Sequence, residues 1–219
     1  DSLFVSRPDA TREDFQALVK TIEKETELPM ELENVYAWFA FLRSRVNPNL
    51  SVANRFFGIA ANGDHKIRGV ASRRGDTCSF IANIQRQVIQ ILATEQDSTK
   101  LVDRLPEILT FVQDQLSAMK NGTVSLEELV VSQDLSRELD HYSVLSPLAV
   151  AAHQLRAQGQ TIRMGMRIRY LYVARGPGVH AWDLPNTPDW KAIDRAQYRK
   201  LILRAVQEVL QPLGVTDAI

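Results

Sequence analysis

A single cysteine, Cys78, stands in the 219 residues. One thiol excludes an internal disulfide framework and a multi-cysteine zinc module, and it fits a reducing cytosol. No apolar run approaches the roughly 18 residues that a membrane span needs, and no leader pattern opens the chain. The glycine-rich loops that cradle phosphates in nucleotide-binding enzymes are missing. The four histidines, His65, His141, His153 and His180, are scattered without metal-ligand spacing. Charge of one sign is not in excess, since 26 Lys and Arg meet 26 Asp and Glu. A net charge of zero predicts no global pull on a polyanion. No stretch makes a self-contained active site. The chain also opens on Asp1 instead of Met, which reads as a piece taken from something longer.

What is present is an ordinary globular composition, 45% hydrophobic and 24% charged. That argues against disorder and supplies a sizeable core for one domain or two small modules. The charge is unevenly spread. Between Arg43 and Arg86 the bases are Arg43, Arg45, Arg55, Lys66, Arg68, Arg73, Arg74 and Arg86, against Asp64 and Asp76 alone. From His141 to Trp182 there is no acid, and Arg156, Arg163, Arg167, Arg169 and Arg175 stand unopposed. Blocks of this kind make local fields that the total hides. They suit the two walls of a groove for a polyanion, and equally two solvated faces.

The spacing predicts an α+β chain. Residues 2–6 read as a short strand. Phe15, Leu18, Val19 and Ile22 keep helical spacing over residues 9–27, until Leu28-Pro29. Residues 30–42 read as a strand with a bend. Residues 54–60 and 65–71 flank Asn62-Gly63, a strong hairpin signal. The rest is mostly helical. One stripe is Phe80, Ile81, Ile84, Val88, Ile91 and Leu92; another runs from Leu101 to Leu116, with Pro106 kinking or restarting the helix and Asn121-Gly122 closing it. Residues 129–132 and 168–174 read as strands, with a turn at Gly176-Pro177-Gly178. Ser146-Pro147 starts a helix that Gly159 stops, and a last helix carries Tyr198, Leu201, Ile202, Ala205, Val206 and Val209 as far as Pro212. A composition shift near residues 80–95 is the best boundary.

The basic segments carry the chemistry. Lys66 and Arg68 alternate onto one face of a strand, and Arg73-Arg74 follow at the approach to a helix. Arg167 and Arg169 share a strand face, beside Arg163 and Gly165. Guanidinium groups hold phosphates bidentately and so fix a backbone in register. Arg73 and Arg74 also lie near Cys78, a setting that lowers a thiol pKa. No local signal pairs a histidine with that thiol, so no nucleophilic role is assigned to it.

These segments, taken in order, resemble the family B DNA polymerases. Lys66-Ile67-Arg68-Gly69 through Arg73-Arg74-Gly75-Asp76-Thr77 is similar to the run K-x-R-G-I-E…R-R-x-D-T that follows the family's palm. Leu129-Val130-Val131-Ser132, Leu135-Ser136, Tyr142, Ser146-Pro147 and Ala151-Ala152 resemble its thumb stretch L-V-I-S-K-x-L-S…Y…S-P-H…A-A. Arg163 to Tyr170 resembles V-x-P-G-x-R-I-x-Y. Asp1-Ser2-Leu3-Phe4-Val5 looks like the end of the catalytic Y-G-D-T-D-S hairpin, and Glu31-Leu32-Glu33…Tyr36 like the element after it. Asn54-Arg55-Phe56-Phe57-Gly58 sits where many members have K-K-R-Y. The ordered set covers nearly the whole chain.

The resemblance implies an α+β fragment: the C-terminal part of a palm with short antiparallel strands plus helix in residues 1–78, then a mainly helical thumb in residues 79–219. It implies that Asp1 is a catalytic ligand of Mg²⁺ and that Glu33, sooner than Glu31, sits near the metal site. It implies DNA-backbone contacts from Arg55, Lys66, Arg68, Arg73 and Arg74, and a thumb grip from Arg163, Arg167, Arg169 and Tyr170. The implied partners are primer–template DNA, deoxynucleoside triphosphates in the parent, and the rest of the polymerase chain, with no membrane and a cytoplasmic location. The second metal-binding aspartate and the nucleotide-holding helix would come from outside these residues, so the fragment alone is expected to be inactive. The sequence departs from the family where K-K-R-Y reads Ala53-Asn54-Arg55-Phe56, where Ala71 replaces an acid, and at Gly75 and Met164. A catalytically inactive, polymerase-like binding module is the alternative.

Overall fold

The computed structural model of the chain describes residues 3–44, 46–47 and 49–215. Three strands, β1 (Tyr36–Arg43), β2 (Ser51–Ala60) and β3 (His65–Arg68), form an antiparallel sheet in the order β1-β2-β3. The hairpin at Asn62-Gly63 is there: Gly63 takes φ 90°, and the Asn62 side chain accepts from the Asp64 N–H at 3.1 Å. Trp38, Leu42, Phe57 and Ile59 are buried. On the opposite face Phe39, Phe41 and Phe56 meet edge-on or tilted, with ring centroids 4.7–6.0 Å apart. Phe4 closes over them, 4.8 Å from Phe39. Its segment stays outside any strand, contrary to the strand expected at residues 2–6. An extended segment becomes a strand only when a neighbour takes its N–H and C=O groups, and none of the described strands does.

Helix α1 (Arg12–Thr26) starts on a capping box between Thr11 and Asp14 and buries none of its residues. Its apolar stripe is therefore real in sequence and half-wet in the fold. Helix α2 (Ser79–Ala93) is the reverse, with Ile81, Ile84, Val88 and Leu92 fully inside. Helix α3 (Leu105–Asn121) follows a 3₁₀ segment at Ser98–Arg104, so Pro106 sits in a first turn where its missing N–H costs nothing. Gly122 ends α3 at φ 74°, and its N–H bonds the Ala118 carbonyl at 3.0 Å.

The remaining elements are α4 (Leu126–Leu129), β4 (Val131–Asp134), α5 (Pro147–Ala157), β5 (Arg167–Tyr172), β6 (Val179–Ala181) and α6 (Arg195–Leu210). Strands β4-β5-β6 form a second antiparallel sheet in that order. The strand expected at residues 129–132 begins two residues later, because a Ser125–Glu128 capping box draws Leu126–Leu129 into a helical turn. Strand β6 is too short to show a period in sequence. Its outer edge is closed by Gln154 of α5, whose amide donates to the Val179 carbonyl at 2.9 Å and accepts from the Ala181 N–H at 2.7 Å. The Tyr198 hydroxyl of α6 donates to the Leu129 carbonyl at 2.8 Å and accepts from the Tyr172 N–H at 3.1 Å. One apolar cluster runs from Trp38 and Phe57 of the first sheet, through α2 and α6, to Ile168 and Leu171 of the second. Among the described residues the fold is α+β, with two small antiparallel sheets and six helices.

Candidate nucleic-acid interface

The basic side chains fall into three places. Lys66 and Arg68 lie opposite Gly58 and Phe56 in the register, so they share the aromatic face of the first sheet. Lys66 forms an ion pair with Glu33, which raises the lysine pKa chiefly through that hydrogen bond. Arg68 is exposed and has no side-chain partner among the described residues. Gly69 follows at φ 66°, and a Cβ there would lie 2.4 Å from the Asn54 carbonyl oxygen. The glycine of the K-x-R-G run is thus required by the close approach of two backbones.

The second place is a cleft of about 650 Å³ between the first sheet, the residues leading into α2, the second sheet and α6. Arg43, Arg55, Arg74 and Arg204 line it, with Asp76, Glu208, Gln133 and Tyr170. Arg55 turns to the helices, where its side chain is 17% exposed and ion-paired with Glu208. It also donates to the carbonyls of Gly69 and Arg43 at 3.2 and 3.3 Å. Arg74 pairs with Asp76 at 3.0 Å. Arg43 and Arg204 are exposed and without side-chain partners among the described residues, so they carry the net positive charge of the cleft. Tyr170 is buried in the wall; its hydroxyl donates to Gln133 at 3.1 Å, and burial pushes its phenol pKa far up.

The third place is the outer face of the second sheet and the loop before it. Arg167 pairs with Asp134 across the strands at 2.8 Å, and Arg169 pairs with Asp183. Arg167 depresses the Asp134 pKa, first through the hydrogen bond and then through its charge. Arg163 is exposed, and its side chain has no partner among the described residues. Arg73, on the turn before α2, is exposed and free in the same sense.

Sequence reasoning missed the polar centre of the molecule. Gln85 is fully buried in the apolar stripe of α2. Its amide donates to the Glu208 carboxylate at 2.9 Å and to the Ala205 carbonyl at 2.8 Å. The detectable signal was a polar residue at the i+4 position from Ile81, on the buried side of that stripe. Asp134 and Asp183, the partners of Arg167 and Arg169, carried no local signal. The thiol of Cys78 is buried, and burial raises its pKa to about 11, contrary to the lowering expected from arginines close by in sequence. Asp1 lies outside the described residues. Among those described, no three His, Cys, Asp or Glu side chains converge to hold a metal ion.

A family model described as DNA polymerase family B matches residues 1–213. The DNA polymerase of Archaeoglobus fulgidus is 28% identical over 236 residues, covering 100% of this chain and 28% of that protein. DNA polymerase 1 of Saccharolobus solfataricus is 24% identical over 217 residues, covering 99% of this chain and 23% of that protein. The solved family B DNA polymerase of the hyperthermophilic archaeon Pyrobaculum calidifontis is similar in fold, with a TM-score of 0.66 at 20% identity over 94% of this chain and 25% of that one. The chain spans about a quarter of the length of these proteins.

Proposed function

Because this chain belongs to DNA polymerase family B, we propose that it is the C-terminal part of a palm (residues 1–78) and the thumb (residues 79–219) of a DNA polymerase. In that role it binds the primer–template duplex. The observation that supports the reading is a family match running from residue 1 to residue 213. Among the described residues, Arg68, Arg73 and Arg163 are the exposed cations of the expected set without a side-chain partner, and Arg43 and Arg204 add two more at the cleft. Such groups meet phosphates, and phosphate contacts are blind to sequence, as a replicative grip must be.

Template-directed addition of deoxynucleotides is the work of the whole enzyme in this reading. A magnesium ion bound in the whole enzyme would supply Lewis-acid chemistry toward the primer 3′ hydroxyl and the leaving pyrophosphate. The described residues do not fit the ion by themselves, since no acid cluster forms and Glu33 is engaged by Lys66. Asp1, together with carboxylates from the rest of the polymerase chain, would hold it. The triphosphate would likewise be bound outside this chain. The place of work is the cytoplasm, and no helix among the described residues is long and apolar enough to cross a membrane.

The test is a titration of a labelled primer–template with the 219-residue chain at several KCl concentrations. Affinity should fall as salt rises, and Arg68→Ala with Arg73→Ala should flatten the log–log slope by about 0.9 for each phosphate left without its cation. A slope unmoved by the double substitution refutes the grip. With Mg²⁺ and nucleotides, the chain alone should extend no primer. A second reading, an inactive polymerase-like module, is favoured by Ala53, Asn54 and Phe56 at the K-K-R-Y position. Primer extension by the whole parent decides between the two.

A further inference from the structure

The turn that carries Arg73 and Arg74 is a single 3₁₀ turn, Ala71–Arg73, and its N-cap residue Val70 supplies no side-chain hydrogen bond. The first N–H groups of any helical turn lack partners within it and need caps. Here the caps come from far along the chain. The Ala71 N–H donates to Glu208 of α6 at 2.9 Å, and the Ser72 N–H donates to Gln85 of α2 at 2.6 Å. The next two N–H groups, of Arg73 and Arg74, bond back to the carbonyls of Val70 and Ala71 at 3.0 and 3.1 Å. All four successive N–H groups are thereby satisfied, two of them by side chains from separate helices. The same Glu208 carboxylate takes the Arg55 guanidinium of β2, so one group ties β2, the turn, α2 and α6 together. At 10% side-chain exposure it is well shielded from water, where such bonds hold geometry best.

We propose that Glu208 and Gln85 are positioning residues for nucleic-acid binding: they fix the 71–74 turn and so aim Arg73 at the duplex. The inference rests on the duplex-binding reading above and adds two residues that need not touch DNA.

Two variants of the 219-residue chain test it, Glu208→Gln and Gln85→Met. The methionine suits the apolar stripe of α2, so the second variant delivers a result even where the first fails to fold. Amide hydrogen exchange should accelerate about tenfold more than at the core amides of α2, at Ala71 in Glu208→Gln and at Ser72 in Gln85→Met, as expected when a buried N–H loses or weakens its acceptor. Duplex affinity should fall by about fivefold or more, with a flatter salt slope, while the core amides stay protected. Uniform acceleration across α2, α6 and the turn would mean a purely structural role and overturns the proposal. Local acceleration with unchanged affinity overturns the aiming. If the unaltered chain binds no duplex, the functional reading fails by itself, and the exchange data still judge the clamp.

Discussion

The paired arginines of β5 offer the sharpest test of how charge is used here. Arg167 is held by Asp134 at 2.8 Å and Arg169 by Asp183, all four on the outer side of the second sheet. An arginine neutralised by its own aspartate releases no counterion from DNA. Asp134→Asn with Asp183→Asn would free both guanidiniums. The cost in stability is small, because Arg167 and Asp134 are 66% and 55% exposed and water screens a pair so placed. The gain in binding is larger. Each freed arginine that finds a phosphate adds about 0.9 to the salt slope, about 1.8 for both. Across a roughly fourfold rise in KCl, such a slope change is worth about a tenfold further loss of affinity. The assay is fluorescence anisotropy of a labelled duplex at several KCl concentrations, with circular dichroism as the folding control. The double variant should bind more tightly at low salt and lose affinity more steeply. An unchanged slope and affinity in a folded variant would show that this face never meets phosphate.

Other outcomes follow from the interior. Tyr198→Phe strips the Leu129 carbonyl and the Tyr172 N–H of a shared partner. It should cost about 2–4 kcal/mol, read as a lower urea midpoint with unchanged m-value. Gly69→Ala combines positive φ with a backbone clash and should cost more than about 1 kcal/mol by the same measurement. Cys78, with its pKa raised to about 11 by burial, should resist alkylation near neutral pH and react once the chain is unfolded. Asp134 should titrate below its ordinary value of 3.8, and Arg167→Ala should bring it back. The sign is that of a depressed acid: its contribution to stability is present above the unfolded value and is lost as pH falls through the folded one.

The helices with continuous stripes were legible because their periods are set by burial. The α2 and α6 stripes in the sequence are the buried faces of the fold. The same logic misleads for α1, whose stripe is clear and yet buries nothing. Periodicity announces an apolar face; what covers it is decided elsewhere. Residues 3–7 join no strand for a related reason, since strand propensity without a pairing edge makes no strand. At the interface, the sequence showed which residues were cationic but not which were already spent. Arg55 and Arg68 read alike as letters. In the fold one is ion-paired to a helix 153 positions away and the other is free among the described residues, a contrast only tertiary contacts create.

Gln154 has a consequence for how the chain keeps company with copies of itself. Its carboxamide meets the outward carbonyl of Val179 and the outward N–H of Ala181, as a fourth strand would. The second sheet is thereby terminated by a side chain shaped like a peptide group, and a stray extended segment finds its docking bonds already occupied. Gln154→Leu would leave the Val179 carbonyl and the Ala181 N–H without that partner.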